Sequence, residues 1–209
     1  MSLNTADTAN KQDLAIWLSF KEGDWGAYTE LYNRHFKKLN NYGYKFTRDI
    51  KVIEDSVHDL FIKLWTNRAG LGTPSSVKNY LFKSLRSVLF RKLNTESRFL
   101  KIEDGTEYDF TFEVSFDQQY IADEQARDLQ KKIKMVVQTL PARQQEIIYL
   151  RFYEGLGYEE IADIMEININ SAYKLLYKAL NKMQEVLKVS KLAIILSLVA
   201  LLRANVNIK

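Results

Sequence analysis

A chain of 209 residues that is 46% hydrophobic and 27% charged, with only 8 Gly and 2 Pro, has apolar material for real cores and too little turn punctuation for a strand-rich fold, so an all-α protein is expected. The absence of cysteine excludes disulfides and thiol chemistry and suits a reducing cytoplasm, and the N-terminal MSLNTADTANKQD lacks the basic region and apolar run of a signal peptide. Net charge is only +4, so a nucleic-acid role has to rest on where the charge is concentrated.

Residues 12–21 read as a short helix with Leu14, Trp17 and Leu18 on one side, broken and restarted at Gly23 and Asp24. Tyr28, Tyr32, Phe36, Leu39, Tyr42 and Phe46 then recur at the spacing of one helical face. Thr47, Arg48 and Asp49 make a turn. The third helix carries Ile53, Val57, Leu60, Phe61 and Leu64 inward and Glu54, Asp55, His58, Asp59 and Lys63 on its polar side, and Gly70, Gly72 and Pro74 end it. An Asp59–Lys63 ion pair is the plain reading of charges at that spacing.

The fourth helix, about 77–93, is VKNYLFKSLRSVLFRKL, and no acidic residue occurs from Arg68 to Thr95. On a helical wheel Val77, Leu81, Leu85, Val88 and Leu89 face a core, while Asn79, Tyr80, Lys83, Arg86, Ser87, Phe90 and Arg91 fall on the outer side. Cations beside rings suit single-stranded nucleic acid, because cations hold phosphates and rings stack on unpaired bases. The alternative is a solvated basic face whose aromatics fold back onto the core.

Chemistry then reverses. Ile102 to Glu124 holds eight acidic residues and no basic one, with poor periodicity, and reads as an acidic linker that is at least partly disordered. Helical spacing resumes with Ala122, Ala126, Leu129, Ile133, Val136 and Leu140; Pro141, at a first helical position, starts PARQQEIIYLRFYEG, which Gly155 stops.

GYEEIADIMEININSAYKLLYKALNKM (157–183) follows. Gly157 serves as N-cap of a short helix with Ile161, Ala162 and Met165 inside; Glu166 and Ile167 turn the chain, and Asn168 caps a longer helix. Ile169, Ala172, Leu176, Ala179 and Met183 form its buried side; Asn170, Ser171, Tyr173, Lys174, Tyr177, Lys178 and Asn181 face outward. A propped helix with amides, hydroxyls and lysines outward is what a helix-turn-helix needs to enter a major groove, although a plain helical hairpin has similar spacing. Small Ala162 at the crossing favours the DNA reading.

In order, DWGAYTELYNRHFKKLNNYGYKFT (24–47), IEDSVHDLFIKLW (53–65), VKNYLFKSLRSVLFRKL and LPARQQEIIYLRFYEGLGYEEIADIMEININSAYKLLYKALNKM resemble a bacterial sigma factor of the extracytoplasmic-function class, over residues 13–187. The resemblance implies a transcription initiation factor that binds RNA polymerase core, directs it to promoters and helps melt DNA. Glu54, Asp55, His58, Asp59 and Lys63 would dock on the polymerase clamp helices. Asn79, Tyr80, Lys83, Arg86, Ser87, Phe90 and Arg91 would melt and hold the non-template strand of the minus-ten element. Asn170, Ser171, Tyr173, Lys174, Tyr177 and Lys178 would read the minus-thirty-five element, and the linker would thread the polymerase interior. An anti-sigma factor is an implied inhibitory partner. No catalytic residue, metal or cofactor is expected, and the location is cytoplasmic. Gly157, Glu166, Tyr173, Leu175 and Ser87 depart from the residues common in that family.

The implied organisation is a tail (1–12), a helical domain binding polymerase and the minus-ten element (13–95), the acidic linker (96–120), a helix-turn-helix domain (121–189) and an apolar C-terminal extension (190–209). The run from Leu192 to Leu202 falls short of the roughly 20 residues that span a bilayer. It is expected to pack on the protein or a partner, with membrane contact only indirect or through this tail. The rival function is a stand-alone helix-turn-helix regulator binding operator DNA.

Overall fold

Side-chain caps decide where the second and third helices begin. Asp24 accepts from the Gly26 and Ala27 amides at 2.7 and 3.2 Å, and Asp49 accepts from Lys51 and Val52 at 2.9 and 3.2 Å, meeting donors that a helix N-terminus leaves open. The computed structural model describes residues 3–96, 108–112 and 124–206, and among them every regular element is helical. Two compact units result, Met1–Thr106 and Glu107–Lys209. The first contains α1 (Leu3–Lys21), α2 (Trp25–Gly43), α3 (Ile50–Asn67) and α4 (Val77–Glu96); the second contains α5 (Glu124–Thr139), α6 (Ala142–Ile148), α7 (Tyr158–Met165), α8 (Ile169–Leu187) and α9 (Lys191–Val206). Most of the expected linker, 97–107 and 113–120, lies outside the described residues, as do 121–123.

In the first unit α4 packs against α1, α2 and α3. Trp17, Phe20, Tyr42, Phe61 and Phe82 are fully buried there, each contributing on the order of 1.5–3 kcal/mol relative to exposure. All five inward residues expected of α3, and all five of α4, are buried. Elsewhere the expected faces shift. The first helix begins at Leu3 rather than residue 12. Leu18 is 51% exposed, and Phe20 takes the core position, because Trp17 and Phe20, three residues apart, share the side turned toward the other helices. In α2 the deepest stripe is Ala27, Leu31, His35, Leu39 and Tyr42; Tyr28, Tyr32 and Phe36 lie half-buried beside it, their rings against Phe61 and His58 of α3. At Gly43 α3 comes up against the backbone of α2: a Cβ there would stand 2.6 Å from Ile53 Cγ2.

In the second unit Pro141 occupies the N-cap of α6 rather than its first helical position. The predicted single helix is α only to Ile148; it widens into a π turn over Tyr149–Tyr153, and Gly155 ends it with φ +73°. α9 packs on α8 and on this π turn through the buried Ile194 and Leu198, leaving Leu192 and Leu196 exposed. Among the described residues no helix is long and apolar enough to cross a membrane. One piece of the linker is packed: Tyr108–Phe112 belongs to the second unit, with Phe110 and Phe112 buried.

Candidate nucleic-acid interface

The helix-turn-helix is assembled from local capping. The Glu160 carboxylate accepts the Gly157 amide at 2.6 Å, which starts α7 with no side chain on the cap residue. Glu166 closes α7 in the left-handed conformation (φ 55°, ψ 46°), while the Ile167 amide donates to Ala162 O at 3.0 Å. Asn168 Oδ1 then accepts the Ser171 amide at 2.7 Å and α8 begins. Ala162 and Ala172 are both buried, so small side chains occupy the packed faces of α7 and α8.

Ala172, Leu176, Ala179, Leu180 and Met183 form the buried side of α8. Ile169, expected there, is 43% exposed because it stands at the open end of the helix, ahead of the packed stretch that begins at Ala172. Asn170, Tyr173, Lys174, Tyr177 and Lys178 are exposed and Ser171 is half-buried. Two of these six are engaged with the protein itself. Tyr173 stacks on Tyr158 with ring centroids 3.8 Å apart, and the Arg151 guanidinium lies over the Tyr158 ring at 5.0 Å. Lys191 Nζ sits 4.0 Å over the Tyr177 ring, and hydrogen bonds from Lys191 and Asn181 pull the Tyr177 phenol below its ordinary value. Tyr158, Arg151 and Lys191 were not legible as part of this surface, since each lies on another element. Of these six, Asn170, Lys174 and Lys178 therefore offer an amide and two ammonium groups outward beside two braced rings.

The basic-aromatic face of α4 is rearranged more deeply. Asn79 and Arg86, expected on the outside, are only 7% and 8% exposed, because α4 has neighbours on three sides and only a narrow strip is left for solvent. The rings turn inward too. Tyr80 packs edge-on against Trp17 at 5.2 Å, and Phe90 against Phe46 at 5.6 Å with the Arg86 guanidinium 4.4 Å over its face. The aromatics have folded back onto the core. Ser87 and Arg91 remain exposed, with Lys83 half-buried.

On α3, Glu54, Asp55, His58 and Lys63 are exposed, and Asp59 is half-buried. Asp59 pairs with Lys92 of α4 at 2.8 Å rather than with Lys63, because a neighbouring helix supplies a nearer cation. His58 belongs to a ring ladder that periodicity alone did not disclose: it lies parallel to Tyr32, 6.1 Å away and 4° from coplanar orientation, with Nε2 2.9 Å from the Tyr32 hydroxyl. Burial, reinforced by Tyr28 and the Glu54 charge, raises the Tyr32 phenol. Among the described residues no three His, Cys, Asp or Glu side chains gather as metal ligands.

Comparison with known proteins bears on both units. The family model described as sigma-70, region 4 matches residues 130–183, a span that includes the whole helix-turn-helix. The RNA polymerase sigma factor YlaC of Bacillus subtilis (strain 168) is 22% identical over 153 residues, which cover 72% of this chain and 86% of that protein. Two solved structures share the fold. CnrH, in complex with the cytosolic domain of CnrY, aligns at 18% identity over 84% of this chain and 97% of its own, with a TM-score of 0.56. The sigma factor RpoE of Bartonella quintana, crystallised with the anti-sigma factor NepR, aligns at 24% identity over 78% of this chain and 97% of its own, with a TM-score of 0.52.

Proposed function

We infer that the chain is a sigma factor of the extracytoplasmic-function type, a transcription initiation factor that joins RNA polymerase core and directs it to particular promoters. The observation that carries this reading is the coincidence of the region 4 match with a helix-turn-helix whose longer helix presents Asn170, Lys174 and Lys178. We assign Asn170 to base reading and the two lysines to phosphates, with Ser171 beside them; Tyr173 and Tyr177 act as braced neighbours of that surface. Amides suit adenine edges and ammonium groups suit phosphates.

The first unit supplies polymerase binding and strand opening in this reading. Glu54, Asp55, His58 and Lys63 are the docking group, with Asp59 contributing through its tie to α4. On α4, strand contact belongs to Lys83, Ser87 and Arg91, whereas Asn79, Tyr80, Arg86 and Phe90 hold the helix in the shape that presents them. The chain acts by binding rather than by catalysis, in the cytoplasm, and an anti-sigma factor is its inhibitory partner. Supporting that partner is the fold it shares with RpoE, which was crystallised with one.

The test is to mix the pure full chain with promoter duplex selected from a randomised library, with and without core polymerase. Specific retention and run-off transcription are expected only when core is present. Tight, specific binding to duplex by the chain alone, unchanged by core and accompanied by no transcription, would instead identify a stand-alone operator-binding regulator.

A further inference from the structure

We propose that Tyr108, Phe110 and Phe112 anchor the linker to the promoter-reading unit and so make this strap a determinant of the promoter spacing the protein accepts. The proposal rests on the sigma-factor reading above.

The sequence Tyr-Asp-Phe-Thr-Phe alternates, and an extended chain sends alternate side chains to opposite sides. Asp109 and Thr111 are exposed while Phe110 and Phe112 are buried. Their landing site is built by α6 and the π turn. The Tyr108 hydroxyl donates to the carboxylate of Glu146, itself wholly buried. Gln145 gives its amide hydrogens to Leu140 O at 2.9 Å and Gln138 O at 3.4 Å, which turns its carbonyl toward the Phe112 amide, 3.4 Å away. Phe110 and Phe112 meet the Tyr149 ring edge-on at 6.0 and 5.4 Å, and Phe112 also reaches Tyr153 at 5.9 Å. The π turn stacks Tyr149 on Tyr153 at 4.8 Å, and the Tyr149 hydroxyl donates to Glu154, so the receiving rings are themselves held.

The consequence follows from chain length. With the strap docked, the join between the units runs only from Glu96 to Tyr108 and reaches at most about 40 Å; released, it runs from Glu96 to Glu124 and reaches about 95 Å. Each added base pair between the two promoter elements moves them apart by about 3.4 Å and turns one about the other by about 35°. A docked strap therefore leaves the join less reach with which to follow a widened spacer.

The experiment is in vitro transcription with core polymerase on a library-selected promoter rebuilt with shorter and longer spacers. Two variants each receive a Gly-Ser insertion worth about 20 Å of reach, one between Asp104 and Gly105, the other between Gln118 and Gln119. The upstream insertion is expected to raise transcription from widened spacers about fivefold relative to the parent, and the downstream insertion to leave the spacing profile unchanged. Phe110→Ala combined with Phe112→Ala should behave like the upstream insertion. In parallel, chymotrypsin cleavage after Phe110 and Phe112 in the full chain should be at least about tenfold slower than in a synthetic peptide of residues 104–116. If the two insertions act alike, if neither alters the profile, or if the bonds are cut as fast as in the peptide, the proposal is overturned. Absence of transcription by the parent at every spacing would overturn the sigma-factor reading instead.

Discussion

Tyr173 of α8 lies nearly flat on Tyr158 of α7, their ring planes 25° apart, so the longer helix of the pair is braced by the shorter one. Tyr173 thereby sets the angle at which Asn170 and Lys174 are presented. Tyr158→Ala should weaken binding of polymerase-bound protein to upstream-element duplex by about 0.5–1.5 kcal/mol, the worth of an aromatic pair beyond its area. Because no phosphate contact is lost, the slope of log affinity against log salt should not change. Lys174→Ala should make that slope shallower by about 0.9. Titrations at several salt concentrations separate the two, and a changed slope in Tyr158→Ala would show that the ring pair is not merely a brace.

The Asp59–Lys92 pair joins α3 to α4 with both side chains partly in solvent. A double-mutant cycle using Asp59→Asn and Lys92→Met should return a coupling of only about 0.2–1 kcal/mol in chemical denaturation. Asp55 is exposed, and Asp55→Lys should lower affinity for core polymerase while leaving the unfolding midpoint unchanged. A loss of stability in Asp55→Lys as large as its loss of binding would remove it from the docking group.

Glu166 holds a left-handed conformation that costs an L-residue about 1–2 kcal/mol, whereas glycine adopts it freely. After glycine's greater entropy loss on folding, Glu166→Gly should stabilise the protein by about 0.5–1 kcal/mol. Glu166→Ala should give no such gain. Urea midpoints of the two variants compared with the parent decide this.

Asp13 ties α1 to α2, its carboxylate 2.8 Å from Arg34 Nε and 3.0 Å from His35 Nε2, with Glu30 also 3.6 Å from Arg34. Burial alone would raise its carboxyl, but the facing His35 ring and the Arg34 guanidinium outweigh that and hold it below the ordinary range. A folded value below the unfolded one means the stabilisation is complete above the ordinary carboxylate pKa and disappears as pH falls through the folded value. Asp13→Asn should therefore cost about 1–3 kcal/mol at neutral pH. The gap between the melting curves of variant and parent should begin to narrow only as pH falls below about 4 and should close once pH is below the folded value. A gap that stays constant down to low pH would mean the carboxylate charge is not what Asp13 contributes.

Period, caps and turns are local properties of a chain, which is why the inward faces of α3 and α4, the restart at Asp24, the turn at Asp49, the Asn168 cap, the short-helix, turn, longer-helix pattern and its exposed Asn170, Lys174 and Lys178 could be read directly from the residues. A helical wheel, however, assumes one buried side. It says nothing of how many neighbours a helix will have. Because α4 is covered by α1, α2 and α3, Asn79 and Arg86 went inside and Tyr80 and Phe90 turned onto Trp17 and Phe46. The same limit hid the Tyr158 brace, the Lys92 partner of Asp59 and the docking of Phe110 and Phe112, each of which depends on a partner far along the chain or on another element. Local sequence determined which segments would be helical and which side of each was most apolar. Only tertiary packing decided how much of each helix water still reaches, because that depends on the surfaces other segments bring to it.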